Sequence, residues 1–316
     1  MNKFINAAQV KWVCHHLHLD KSKTITHDIL EQSLTHMKEK WYLMREVKRG
    51  YTEKDLYTRM NASIDLLHQQ NCHMMKTFID IDSVVGMRPM NVALELKRKW
   101  WEENRVDIRI GTQPLDGLET DENIRLFKDA CKVADFVGCL PSRDKVPERH
   151  LDIVFSTAQQ ENKHVEAHLD QCNIPSEKET EMFCDFVEKY KYQGRARAVH
   201  CISLACHPEE YQNSIARRLH RNGIGVIICP SAALSMHQEA GMMAAIHNSI
   251  GPVKVFLANG VDVGMGVDNI EDIFMPFCDG NLAFELRLLA ESTRIYNPEV
   301  LLQIATNEMG FKNETK

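Results

Sequence analysis

The chain has 316 residues, of which 44% are hydrophobic and 26% are charged, so it is long and apolar enough for a large globular core. Its net charge of −6 and the lack of a basic block argue against nucleic acid as a partner. No apolar run reaches the roughly eighteen residues of a membrane span, and no leader is visible, so we expect no membrane partner and a cytoplasmic location. The ten cysteines form no Cys-x-x-Cys pair, which indicates reduced thiols.

Eight short apolar segments rich in β-branched residues recur along the chain, and stretches of helical length separate them. Their apolar residues run continuously instead of alternating with polar ones, which indicates strands buried on both faces of a parallel sheet. The predicted strands are residues 10–14, 76–81, 106–111, 135–139, 164–168, 196–201, 224–229 and 261–267. The predicted helices are two between 28 and 70 with a break near 50–52, then 91–103, 120–132, 148–162, 176–190, 208–222, 241–259, 281–296 and 298–309.

This repeat of strand and helix predicts an α/β fold, a (β/α)8 TIM barrel that forms one domain over residues 1–316. A doubly wound open sheet is the alternative. The regularity of eight successive units favours the barrel, because repeated βα units in a chain of this size are typical of it.

Histidines and one aspartate stand at the C-terminal ends of four predicted strands, where barrel enzymes build their sites. His16 and His18 end the first strand and point the same way at strand period. His168 ends the fifth strand, His200 lies at the end of the sixth, and Asp268 follows the eighth. Imidazoles together with a carboxylate are ligands for Zn²⁺ or Fe²⁺ and do not decide between them. We therefore predict one divalent metal ion as the cofactor.

Longer strings around these positions resemble a known family. They are HLHLDKS at 16–22, KTFIDIDSV at 76–84, HLDQ at 168–171 and GMGVDNIEDIFMPFCDGN at 264–281. The chain resembles the amidohydrolase superfamily, and most closely the branch that holds cytosine deaminase and N-isopropylammelide isopropylaminohydrolase. The resemblance extends over nearly the whole chain, in register with all eight strands.

The resemblance implies a role for each residue of this set. His16, His18 and His168 bind one metal ion, Asp268 binds it too and accepts a proton from the metal-bound water, and His200 orients or polarises that water and the substrate. General chemistry agrees, because a divalent ion brings the pKa of bound water close to neutrality and a neutral histidine can hold a developing oxyanion. The implied reaction is attack of metal-bound hydroxide on the carbon of a C–N bond. The substrate is a small nitrogenous molecule such as a heterocycle, and ammonia or an amine is released.

The string that follows the fifth strand departs from the family. Gln171 stands where cytosine deaminases have a glutamate that carries the proton to the leaving nitrogen, and a primary amide cannot carry it. The isopropylaminohydrolase has a second histidine at the position of Asp170. Our hypothesis is that Asp170 replaces the missing acid–base group.

Four further residues are predicted to contact the substrate. Residues 111–118 resemble the loop that offers a glutamine amide to the pyrimidine, and the alignment puts Leu115 at that position with Gln113 two residues earlier. A shift of one or two residues would restore Gln113. Lys21 and Asn269 stand at family positions near the mouth of the barrel.

Relatives in this branch carry a small β-sandwich, whereas about nine residues precede the first predicted strand here. We therefore expect a barrel without the sandwich, and we expect a homo-oligomer to cover the surface that the sandwich would occupy. A non-catalytic barrel that serves as a binding or assembly protein is the alternative function, and the retained metal ligands favour the enzyme. A binuclear site of the phosphotriesterase or dihydroorotase kind needs a carboxylated lysine or a glutamate at the end of the fourth strand, and residues 139–142 offer neither.

Overall fold

The computed structural model describes residues 3–246 and 249–310, and in this part of the chain eight parallel strands alternate with helices. The strands are β1 Trp12–Leu17, β2 Cys72–Asp80, β3 Asp107–Gln113, β4 Val137–Cys139, β5 Val165–Leu169, β6 Ala196–His200, β7 Gly225–Ile228 and β8 Val263–Met265. The helices are α1 His27–Gln32, α2 Met37–Arg49, α3 Glu53–His68, α4 Arg88–Asn104, α5 Asp121–Val133, α6 Pro147–Gln160, α7 Glu179–Lys189, α8 Glu209–Arg221, α9 Pro230–Ser235, α10 Val253–Ala258, α11 Leu282–Thr293 and α12 Pro298–Thr306. The predicted α/β fold with parallel strands is confirmed.

The strands pair in chain order as two parallel sheets, one of β1 to β3 and one of β4 to β8. Single parallel bridges, instead of full ladders, join the two sheets at both seams, between Gly111 and Phe136 and between Leu17 and Asp268. The order of the strands is therefore cyclic, as in a (β/α)8 barrel, and differs from that of a doubly wound open sheet.

Two glycines allow the close approach of β3 and β4. A Cβ atom at Gly138 would overlap the carbonyl oxygen of Thr112, and one at Gly111 would overlap the ring of Phe136. Any larger residue at these positions would push the two strands apart. The seam between the sheets therefore depends on glycine at both positions.

The long insert after β1 forms helices with the break that the sequence predicts. α2 ends at Arg49 and α3 begins at Glu53. The hydroxyl oxygen of Thr52 accepts a hydrogen bond from the Asp55 backbone N–H at 3.2 Å, which satisfies one of the free donors at the start of α3.

The prediction of one helix over 241–259 is wrong. Helix α10 covers only Val253–Ala258 of that range, and the described residues 241–246 are not helical. Gly241 has a φ of +80°, a left-handed conformation that a helix cannot continue. Pro252 lacks the N–H that a longer helix would need just before α10.

Polar residues toward the N-terminal end of the barrel form a cluster that the segment after α12 covers. Lys76 pairs with Glu166 at 2.8 Å, and both side chains are buried. Arg197 donates to the carbonyl oxygen of Met309 at 2.6 Å. His15 Nε2 lies 2.5 Å from the carbonyl oxygen of Asn307. Within the described residues, no helix has the length and apolar character needed to cross a bilayer.

Candidate metal centre and active-site cavity

Three histidines and one aspartate converge at the C-terminal end of the barrel. Asp268 Oδ1 lies 3.2 Å from His16 Nε2 and 3.3 Å from His18 Nε2. His168 Nε2 lies 3.3 Å from His18 Nε2, and the ligand atoms of the three histidines all lie within 4.8 Å of one another. Nitrogens bound at about 2.0–2.1 Å around one tetrahedral ion stand about 3.4 Å apart, so the spacing fits a single metal ion.

The hydrogen bonding of these histidines also fits a metal ion. The Nε2 atom of the buried His16 lies 3.2 Å from Asp268 Oδ1 but not in hydrogen-bond geometry, and its Nδ1 has no partner among the described residues. A buried polar group in that state is rare and calls for an explanation such as an ion. His168 Nδ1 lies 3.3 Å from the carbonyl oxygen of Cys139, an acceptor that orients the ring and leaves Nε2 free to bind.

The electrostatics of the cluster give the protonation states that metal binding requires. Burial lowers the pKa of His16, His18 and His168, so the imidazoles are neutral. Burial also acts to raise the pKa of Asp268, but contacts with the His16 and His18 rings outweigh it and hold that pKa well below its usual range. Neutral imidazoles around an ionised carboxylate form a donor set ready for a divalent cation.

Cys229 is a further candidate ligand that the sequence analysis missed. Its sulfur lies within 4.8 Å of ligand atoms of His16 and Asp268. Burial raises the pKa of the Cys229 thiol well above its usual value, so the sulfur is protonated without a metal. Its position at the end of the seventh predicted strand was the signal that pointed to this face.

A cavity opens over the cluster. Its wall includes all the residues predicted to contact the substrate, which are Lys21, Gln113, Leu115 and Asn269. Gln113 Oε1 has no hydrogen-bond partner among the described residues. Because Gln113 and Leu115 both reach the cavity, the shift of the loop considered above is not needed.

His200 lies in the same wall, beside Asp268. Its Nε2 is 3.8 Å from Asp268 Oδ2. Burial lowers the pKa of His200 to about 4, so the ring is neutral near physiological pH. Both residues have positive φ values, +72° for His200 and +65° for Asp268, which are unusual for residues other than glycine. Strained backbone of this kind is concentrated at functional sites.

Lys21 lines the cavity, but its charge is already paired. Its Nζ lies 2.6 Å from Asp80 Oδ1 and 3.6 Å from Asp20 Oδ1. It also lies 3.4 Å from His18 Nδ1, on the side of that ring away from the other histidines. The ion pair with Asp80 therefore fixes the Lys21 side chain in the wall of the cavity.

Asp170 does not join the cavity, contrary to the hypothesis that it replaces the missing acid–base group. Its carboxylate accepts hydrogen bonds from the Glu179 backbone N–H at 2.6 Å and from the Thr180 hydroxyl at 2.5 Å. A φ of +50° turns Asp170 away from the direction of β5 and toward the start of α7. The side chain therefore caps α7. The next residue, Gln171, lines the cavity, and its Nε2 has no partner among the described residues.

The insert after β1 supplies a wall that the sequence analysis did not predict. Met37 and Trp41 of α2 line the cavity, together with Phe274 of the loop after β8. The 3.6-residue period that places residues 37, 41, 44 and 48 on one helical face was the available signal.

Comparisons with known proteins find similar sequences and structures, although no family model matches the chain. A protein of Haemophilus influenzae with no assigned function is 28% identical over 246 residues, which cover 76% of this chain and 88% of that protein. The N-isopropylammelide isopropyl amidohydrolase of Pseudomonas sp. strain ADP is 22% identical over 287 residues, which cover 88% of this chain and 66% of that protein.

Solved structures show the same fold. The 5-methylcytosine deaminase of Klebsiella pneumoniae with phosphonocytosine superposes with a TM-score of 0.85 at 20% identity, over 94% of this chain and 75% of that one. The N-isopropylammelide isopropylaminohydrolase of Burkholderia multivorans gives a TM-score of 0.74 at 20% identity, over 94% and 72% of the two chains. These likenesses confirm the resemblance predicted from the sequence, and the chain has the fold of the amidohydrolase branch that includes both enzymes.

Proposed function

We propose that the protein is a metal-dependent hydrolase or deaminase that cleaves a C–N bond of a small nitrogenous substrate and releases ammonia or an amine. The observation that carries this proposal is the buried cluster of His16, His18, His168 and Asp268 at the floor of the cavity.

The four clustered residues would hold one divalent ion, Zn²⁺ or Fe²⁺. When bound, such an ion lowers the pKa of water so that hydroxide is available near neutral pH. The ionised carboxylate of Asp268 would accept a proton from the attacking water. His200, neutral and beside Asp268, donates a hydrogen bond to the oxyanion that develops on the substrate.

Two glutamines orient the substrate. The free Oε1 of Gln113 accepts from an N–H group of the substrate, and the free Nε2 of Gln171 donates to a carbonyl oxygen or ring nitrogen. Because an amide carries no acidic proton at neutral pH, the proton accepted by Asp268 is the one passed to the leaving nitrogen.

The names of the similar proteins guide the choice of first substrates. They act on 5-methylcytosine and on N-isopropylammelide, so amino-substituted nitrogen heterocycles come first. One barrel domain and a small nitrogenous molecule as partner belong to the same proposal. The homo-oligomer and the cytoplasmic location stay predictions.

Metal content tests the proposal directly. Mass spectrometry of the purified wild type should give about one zinc or iron per chain, and His168→Ala should abolish it. His220→Ala removes an exposed histidine of α8 and serves as the matched control, with unchanged metal content. Metal-loaded wild type should then release ammonia or an amine from a heterocycle in the panel.

A non-catalytic barrel is the second candidate, because Gln171 replaces an acid–base group that the family resemblance predicts. If the wild-type protein binds no metal, even after reconstitution with zinc and iron, the proposed hydrolase function would be contradicted and this candidate favoured. A metal site without turnover of any amine, amide or aminated heterocycle would favour it as well.

A further inference from the structure

A second, small cavity adjoins the first and reaches beyond the metal cluster. The two share a wall that contains Gln171, His200 and Asp268. Much of the remaining wall is apolar, as with Ile202 and Met236. A substrate whose reacting carbon lies at the shared wall therefore has space for a substituent in the second cavity.

Lys40 of α2 lines this second cavity, and it is 6% exposed. Its Nζ donates to the carbonyl oxygen of Phe274 at 3.1 Å, and no carboxylate of the described residues lies within 4.0 Å. An ammonium group has three donors, and a buried charge without a counterion is costly by several kcal/mol. Lys48, buried on the same helix, differs because it pairs with Asp80 at 3.1 Å and with Asp82.

The acid whose charge acts on Lys40 is already engaged. Asp272 Oδ1 accepts from the Phe274 and Met275 backbone N–H groups at 2.8 and 3.1 Å, and its Oδ2 accepts from Asn269 at 2.5 Å. Burial lowers the pKa of Lys40, and an anion bound beside it would stabilise its charged form. The counterion that Lys40 lacks can therefore come from a ligand.

Gln171 makes the same wall favourable to an anion. It is 4% exposed, lines both cavities, and has an Nε2 without a partner among the described residues. The glutamate that the family resemblance predicts at this position would repel a negative group. An amide removes that charge and offers a donor instead.

We propose that the substrate is a small nitrogenous ring that carries a carboxylate, held in the second cavity by Lys40 and Gln171. The C–N carbon then faces Asp268 and His200. One buried ammonium matches one negative charge, which favours a carboxylate over a doubly charged phosphate. This inference rests on the proposed function and specifies its substrate class.

Binding of matched rings tests the inference without turnover. Isothermal titration of the metal-loaded wild type is carried out with uracil, uracil-5-carboxylate and uracil-6-carboxylate. A hydrogen-bonded charge pair contributes about 1.5–3 kcal/mol, so one carboxylated ring should bind about 10- to 100-fold more tightly than uracil. Lys40→Met should abolish this preference with the affinity for uracil unchanged, and Lys40→Arg should retain it.

Gln171→Glu gives an independent test. The added negative charge should weaken binding of the carboxylated ring more than binding of uracil. Equal affinities of the wild type for all three rings would overturn the inference. So would an equal loss for uracil and its carboxylates in Lys40→Met, which would show that Lys40 only anchors the loop of Phe274. Metal content and melting temperature are measured on each variant, so failure of the metal site itself is seen separately.

Discussion

The two ends of the barrel both bury polar side chains, but they leave them in different states. At the N-terminal end, His15 contacts the carbonyl oxygen of Asn307 at 2.5 Å, and Lys76 pairs with Glu166 at 2.8 Å. At the C-terminal end, Nε2 of the adjacent His16 faces Asp268 Oδ1 at 3.2 Å without hydrogen-bond geometry, under an open cavity. The Nε2 atoms of two neighbouring histidines of one strand thus have different surroundings.

The difference lies in what closes each end. The segment after α12 covers the N-terminal cluster, where Arg197 donates to the carbonyl oxygens of Met309 and Gly310 at 2.6 and 2.9 Å. Polar groups paired with the protein stabilise the fold, whereas a cluster of ligand atoms beneath a cavity indicates a bound ion. We therefore expect substitutions at one end to change stability and those at the other to change metal binding and catalysis.

The largest effect, a loss of bound metal, should come from substituting one of the two adjacent histidines and not the other. His16→Asn should reduce metal content from about one ion per chain to near zero and abolish turnover, because the amide does not replace the imidazole ligand. His15→Asn should lower the melting temperature and retain the metal. Equal metal loss in both variants, measured by mass spectrometry on folded protein, would remove the distinction between the two ends.

Breaking the buried pair of the N-terminal cluster should give the next largest effect. Lys76→Met leaves Glu166 buried without its partner, which should reduce the free energy of unfolding by about 3–5 kcal/mol in urea titrations. Metal content per folded chain should stay the same. The double variant Lys76→Met/Glu166→Met should recover part of the loss, and a double variant as unstable as the sum of the singles would contradict the pairing.

A smaller effect is expected from Asp170, which lies next to Gln171 but outside the cavity. Asp170→Asn weakens the cap of α7 and should cost about 1 kcal/mol of stability, with kcat/KM unchanged. Gln171→Ala, one residue later, should raise KM and leave the unfolding free energy nearly unchanged. A large fall in kcat with Asp170→Asn would restore the acid–base hypothesis.

Strand period in the sequence predicts some of the site positions and not others. The ends of β1, β5, β6 and β8 were predictable because parallel strands of a barrel deliver their last side chains to one mouth. The place of the Asp170 side chain was not predictable because the chain leaves β5 there, and the turn that directs this side chain to α7 is not encoded in strand period.

The position of Lys40 in the second cavity could not be predicted from the sequence, for a different physical reason. Its contact with Phe274 spans 234 residues, and only the folded chain brings α2 over the loop after β8. Helical period predicts which face of α2 is buried, but it does not say what that face covers.

The predicted effect that is smallest at neutral pH is a change in pH dependence at the N-terminal end. Burial and the nearby Lys76, Arg197 and Arg109 lower the pKa of His164 to about 3, whereas the unfolded chain titrates near its ordinary value of about 6.5. As the pH falls from 6.5 toward 3, His164 is protonated in the unfolded state but not in the folded state. The free energy of unfolding therefore decreases over this pH range. His164→Gln should flatten the dependence of the unfolding free energy on pH between these limits, measured by urea titration at several pH values.

Arg109→Gln removes one of the cations and should flatten this pH dependence less. An unchanged slope in His164→Gln would mean that the positive cluster does not act on this histidine, and the contrast between the ends would then rest on the contacts of His15, Lys76 and Arg197.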